Sequence, residues 1–231
     1  VKERMHHSTS LQNIAIDRSG NLYVSEYGSS SIRKITPDGN VTTFAGTGNR
    51  GSNNGQGTSA SFDRPYGFVF DSSSHLYVAD YGNKRIQILN PLGQLVQTIE
   101  LKGSPHGITL DKNENIYVTE WWDFIGVEKF TKTGEPATDV QIEDQSVFGL
   151  PSDIAINSDG VLYVLEHRNL DIDYGKDAGV HKIDTDGSYL GFLPLPDSSI
   201  DDESKFTLMT IDHEDYLYIV DQKSQHILLL D

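Results

Sequence analysis

The chain has 231 residues, 34 of them acidic against 18 basic, and a formal charge of −16. Lys and Arg supply the affinity of proteins that grip phosphate backbones, so nucleic acid is disfavoured as a partner, while cations and basic protein surfaces remain open. No cysteine is present, which removes disulfides and thiolate metal sites, and no run approaches 18 apolar residues, so no membrane insertion is expected.

In chain order, the first clear strand pattern is "NIAID" from Asn13, followed by the turn "RSGN" and the second strand "LYVSE". A third strand ends in "PDG" and a fourth reads "VTTFAG". After a Gly-rich stretch, Thr43 to Phe62, the same order returns as "GFVFD", "SSSH", "LYVAD", a third strand ending in "PLG", and "LVQTIE". It returns again as "GITLD", "IYVTE", "KTG" and "ATDVQI", then as "DIAIN", "LYVLE", "TDG" and "YLGFLPL". A fifth round, "LMTID" and "LYIVD", runs to Asp231 without a fourth strand. Val, Ile, Tyr, Phe and Thr runs punctuated by Gly, Asn, Asp and Pro are strand-and-turn chemistry.

The shared tyrosines are Tyr23, Tyr77, Tyr117, Tyr163 and Tyr218, spaced 54, 40, 46 and 55 residues apart. A shortest period near 40 predicts four-stranded β-propeller blades. The N-terminal "VKERM" stands twelve residues before Asn13, as Leu95 stands before Gly107, and so sits in fourth-strand register. It is expected to complete the last blade and close a five-bladed ring, removing both exposed edges. Six blades follow instead if further chain lies upstream. The whole chain, 1–231, is read as one propeller domain with 1–10 as closing strand and lead-in. It starts with Val and shows no signal-peptide pattern, so it is expected to be a mature or excised part of a larger chain or assembly. A Cys-free domain leaves the compartment open, with an extracellular or periplasmic setting favoured over the cytoplasm.

The second unit carries Pro65, Gly67, Asp71, Tyr77-Val78-Ala79-Asp80, Gly82-Asn83 and Arg85-Ile86. With these residues the chain resembles the NHL-repeat β-propellers, and the likeness extends in weaker form over residues 11–231. The fourth and fifth units depart from it: Pro151-Ser152-Asp153 lacks the glycine and Phe206-Thr207-Leu208 lacks the motif. Members of that family usually have six blades. The resemblance implies a propeller, a fold that hosts many unrelated chemistries.

In an antiparallel blade the first-to-second and third-to-fourth turns share one edge. The long insertions, Gly46–Ser61, Glu143–Leu150, Leu165–Gly179 and Pro196–Lys205, all belong to the other, which is therefore the expected functional face. Each second strand ends there in an acid: Glu26, Asp80, Glu120, Glu166 and Asp221. Five carboxylates suit a cation site or a basic partner. Their recurrence in every unit favours a structural role, in which each accepts N–H groups of the turn that follows it.

The first strands begin on the same edge with Gln12-Asn13, Tyr66-Gly67, His106-Gly107, Ser152-Asp153 and Thr207-Leu208, varied polar groups of the kind that line a small site. Asn13 and Asp153 are candidate ligands for a divalent cation such as calcium, and no cofactor is required by the fold. His106 is a candidate proton-transfer group. "SPHGITLDKNENIYVTEWW" is similar to the repeat of streptogramin-type lyases, which implies a metal-assisted role for His106 and Glu120, although the second His-bearing element is missing. Gluconolactonase-like propellers imply a channel metal that Asn13 and Asp153 could hold.

Trp121 and Trp122 point to opposite faces of a strand, so one of them is a candidate anchor for a partner. Tyr66, His106, Glu166 and His167 complete the candidate binding set. "DIDYGKDAG" places Asp171, Asp173 and Asp177 close together but has Lys182 where a calcium loop closes with Glu, so it reads as a solvated acidic loop. The expected function is non-enzymatic recognition of a protein, peptide or glycan. The alternative is a metal-assisted lyase or lactonase in the central channel.

Overall fold

A computed structural model describes residues 11–142, 148–166, 178–195, 206–221 and 225–230. They form five antiparallel sheets in chain order. The first contains β1 (Leu11–Ile16), β2 (Leu22–Glu26), β3 (Ser31–Ile35) and β4 (Val41–Ala45). The second contains β5 (Pro65–Phe70), β6 (Leu76–Asp80), β7 (Arg85–Leu89) and β8 (Leu95–Glu100). The third contains β9 (Ser104–Leu110), β10 (Ile116–Trp121), β11 (Gly126–Phe130) and β12 (Pro136–Ile142). The fourth contains β13 (Pro151–Ile156), β14 (Val161–Glu166), β15 (Gly179–Asp184) and β16 (Tyr189–Pro194). In the fifth, β17 (Phe206–Ile211), β18 (Leu217–Asp221) and β19 (His226–Leu230) are described. The expected closing strand at Val1–Met5 lies outside the described residues.

The repeated turns explain the repeated letters. Asp17, Asp71, Asp111 and Asp212 each turn one carboxylate oxygen onto the backbone N–H groups two and four residues ahead. This Asx geometry closes the first turn of the first, second, third and fifth sheets. The shared tyrosines Tyr23 and Tyr218 donate their hydroxyls to Asp17 and Asp212 at 3.3 and 2.9 Å, tying the second strand to the same turn. The third-to-fourth turns end at Gly39, Gly93, Gly134 and Gly187, all with φ between +77° and +92°. That left-handed backbone costs a β-carbon-bearing residue energy, which is why these turns read PDG, PLG, KTG and TDG.

The chain divides into two compact units, Val1–Pro105 and His106–Asp231. In the first, Tyr23, Ile32, Phe62, Phe68, Leu76, Val78 and Leu89 form a core between the first two sheets. In the second, Tyr117, Val127, Phe148, Ile154, Leu162 and Ile183 pack between the third and fourth sheets. Leu165, Val180, Met209, Leu217 and Ile219 pack between the fourth and fifth.

The Gly-rich connection between β4 and β5, counted in the sequence among the long insertions of the functional face, packs against its own sheet. Gly46 N–H donates to Gly57 O at 3.1 Å and Gly57 N–H to Gly93 O at 2.8 Å, so the segment reaches the β7–β8 turn, on the opposite edge of its sheet. Ala60 and Phe62 are fully buried within it. Burial of those two side chains makes it part of the scaffold, not a free excursion.

Candidate functional site

The acids that end the second strands of their sheets are all buried. Asp80 accepts from Asp63 N–H at 2.7 Å, Asn83 Nδ2 at 2.9 Å, Arg85 Nε at 2.7 Å and Gln87 Nε2 at 3.0 Å. Arg85 and Gln87 continue to Ser61 O at 3.2 and 3.1 Å, Arg85 to Ser52 O at 3.2 Å, and Asn83 to Gly51 O at 2.8 Å. The motif residues thus clamp the Gly-rich connection. Glu166 accepts from Gly149 N–H at 2.9 Å and from Leu150 N–H.

This corrects the expected partners. Asp80 accepts from an N–H of the segment that leads into the first strand of its sheet, not of the turn that follows the acid, and among the described residues Glu166 likewise accepts from the segment entering its own first strand. The second strand runs antiparallel to the first, so its last residue lies beside that segment. Glu26 takes hydroxyls of its own turn, from Ser29 at 2.6 Å and Ser31 at 3.0 Å. Glu120 is fully buried.

In the first compact unit the residue after each acid is a tyrosine. Tyr66, at the start of β5, packs against Tyr27 edge-on at 5.5 Å between ring centroids and against Tyr81 at 5.1 Å. All three rings are half-buried. Burial pushes the Tyr66 hydroxyl up, its two tyrosine neighbours add to this, and Arg64 opposes it. Arg64 holds its guanidinium 5.7 Å over the Tyr27 ring and has φ +59°, a strained conformation for a non-glycine residue. Sequence reading picked out Tyr66 but missed Tyr27, Tyr81 and Arg64. An aromatic directly after the acid in the first three units, Tyr27, Tyr81 and Trp121, is the signal that could have found two of them.

In the second unit His106 stacks on Trp121, with centroids 3.6 Å apart and planes 24° apart. Trp121 donates its indole N–H to Pro151 O at 2.8 Å, while Trp122 is 59% exposed at φ +72°. The two tryptophans therefore divide into a packed and an exposed ring. Gly107 permits the close approach of β9 to β13: a β-carbon there would sit 2.6 Å from Asp153 Cα. Asp153 is buried and accepts from Ile154 N–H at 2.9 Å and Met209 N–H at 2.7 Å. Burial pushes its carboxyl up to about 7 against those two bonds.

Asn13, in the first unit, is half-buried and donates its backbone N–H to Ser25 Oγ at 2.9 Å. Both Asp153 oxygens already accept backbone N–H groups, and among the described residues no three His, Asp or Glu side chains group as metal ligands. These residues do not fit the implied cation. His167, Asp171, Asp173 and Asp177 lie outside the described residues.

Residues 62–89, the second sheet and its approach, match the model of the NHL repeat. No curated protein sequence matches the chain. Among solved structures, the chain is similar to virginiamycin B lyase from Staphylococcus aureus at 16% identity, over 96% of this chain and 69% of that one, with a TM-score of 0.64. A streptogramin B lyase structure aligns at 17% identity, over 96% and 68%, with a TM-score of 0.67. A gluconolactonase from Xanthomonas campestris aligns at 15% identity, over 96% and 73%, with a TM-score of 0.70. At these identities the likeness is one of fold. The chain is a five-bladed, all-β propeller that carries an NHL repeat.

Proposed function

We propose that this propeller is a non-enzymatic recognition module for a protein, peptide or glycan. Its contacts are Tyr66 and the aromatic residues that follow the buried acids. The half-exposed cluster of Tyr27, Tyr66 and Tyr81 carries this reading. Tyrosine and tryptophan offer large rigid contact area and a polar edge at little entropic cost, which suits them to binding. Trp122 and the Trp121–His106 stack supply a second aromatic patch in the other compact unit. Binding of defined glycans and peptides by Tyr66→Ala and Trp122→Ala, compared with wild type, tests the proposal. Loss of binding in folded variants supports it; unchanged binding in both overturns it.

A metal-assisted lyase or lactonase is the second reading. It draws on the lyase and gluconolactonase activities of the solved neighbours and on the closeness of β9, which carries His106, to Asp153. The fit of the residues is poor, since Asp153 is committed to backbone N–H groups. Calcium titration followed by thermal unfolding decides the point: a saturable rise in midpoint that vanishes in Asp153→Asn favours the second reading, and no rise removes it.

A further inference from the structure

Beside the tyrosine cluster stand two arginines that share one carboxylate, Asp63, as their ion-pair partner. Arg64 and Arg50 each place Nε near Asp63 Oδ1, at 3.7 and 3.6 Å, beyond hydrogen-bonding distance. Among the described residues neither guanidinium donates a hydrogen bond, and Arg64 Nε is a buried donor without an acceptor. This contrasts with Arg85, whose guanidinium is spent on Asp80, Ser52 and Ser61. One N–H of this partly exposed guanidinium is thus buried and unmet, which has a cost, and the same residue holds strained backbone at φ +59°. Such strain gathers where a ligand is met.

The charge count around this point is specific. Two guanidinium groups face one carboxylate, Asp63, so a single further anion balances the set. Asp63 is itself fixed: its N–H is donated to Asp80, and its carbonyl accepts from Gly82 N–H at 2.8 Å. Its backbone therefore stays in place beside the two guanidinium groups. The remaining protein is strongly acidic, at −16 overall, which opposes a polyanion. Next to the cations lie aromatic rings, which offer a surface for a flat or polyhydroxylated ring to stack on.

We propose that Arg64 and Arg50, with the Tyr27–Tyr66–Tyr81 cluster, form a subsite for a ring-bearing monocarboxylate. The guanidinium fork takes the carboxylate in bidentate fashion, and the tyrosines take the ring. A uronic-acid sugar and an aromatic acid share this chemistry. The assignment rests on the recognition reading above and adds the class of ligand.

The test measures binding by calorimetry of methyl glucuronoside, its methyl ester, methyl glucoside and 4-hydroxyphenylacetate. The account expects an acid to bind, the ester and the neutral sugar to bind at least about tenfold more weakly, and added salt to weaken the acid. Which acid binds more tightly identifies the source of the carboxylate. Arg64→Gln should weaken acid binding at least about tenfold, and Arg64→Lys should recover part of it, because a point charge replaces a fork. Thermal unfolding of both variants should stay close to wild type, because Arg64 makes no side-chain hydrogen bond and Arg50 still pairs with Asp63 when the Arg64 ion pair and its contact with the Tyr27 ring are lost. Equal binding of acid and ester, or undiminished acid binding in Arg64→Gln, overturns the subsite. If no acid binds but a neutral glycan or a peptide binds and is lost in Tyr66→Ala, the subsite is wrong and the recognition reading stands. If nothing in either panel depends on Tyr66 or Trp122, both fall.

Discussion

The second and fourth sheets solve one structural problem with different side chains. Each ends its second strand in a buried acid that caps N–H groups of the segment entering its own first strand, Asp80 for Asp63 and Glu166 for Gly149 and Leu150. In the second sheet the residues paired with Asp80 and Val78 are Arg85 and Gln87, and both bond the acid. In the fourth, the corresponding pairs are Glu166 with Gly179 and Val164 with His181. Gly179 leaves room for the Phe192 ring, which would meet a β-carbon there at 2.1 Å. His181 Nε2 stands 3.7 Å from Glu166, and its Nδ1 lies 3.2 Å from the Tyr189 hydroxyl. The constant element is the capping of backbone N–H groups; the counter-group is free to change. The NHL motif of the second sheet is thus a scaffold device, and the contacts proposed above are Tyr66 and the aromatic residues that follow the acids.

The comparison predicts a graded set of losses. Asp80→Ala strands Arg85 in the interior and should cost about 3–5 kcal/mol in denaturant unfolding. The same variant should speed amide exchange at Gly51 and Asp63, because their anchors are lost. Glu166→Ala removes the acceptor of two buried N–H groups and should cost less, about 1–3 kcal/mol. Equal losses at both positions would mean that the Arg85 network adds nothing.

Asp153 gives a pH signature in the fourth sheet. Its carboxyl in the folded protein is raised to about 7 from an ordinary value of 3.8. The folded state therefore binds the proton more tightly than the unfolded state between those values. This contribution should be fully present below about pH 4 and fade as pH rises through 7. Asp153→Asn should flatten that segment of the stability profile; an unchanged slope would assign it to another group. The smallest stability effect is expected from Trp122→Ala, within about 0.5 kcal/mol for an exposed side chain.

The strand order and the turns were legible in the sequence because they depend on nearby residues, whereas the tyrosine–aspartate ties, although they span only six positions, were not read there. Asp17 and Tyr23 illustrate this. The partners of the buried acids were not legible. Asp80 reaches back to Asp63 and Arg85 to Ser52 across a connection whose path depends on packing of Phe62 and Ala60. The tyrosine cluster was half legible: Tyr66 stands out at a variable position, but Tyr81 meets it through the pairing of β5 with β6, and Tyr27 only once the first sheet lies beside β5. Arg64 could not be read at all, since its position over Tyr27 follows from a left-handed backbone at one residue.

Binding and unfolding measured together on Tyr66→Ala test most directly the separation of scaffold acids from contact aromatics. The account predicts that ligand binding falls at least about tenfold while the unfolding free energy stays within about 2 kcal/mol of wild type, far from the loss at Asp80. Binding retained in full, or a loss of stability as large as that of Asp80→Ala, would contradict it.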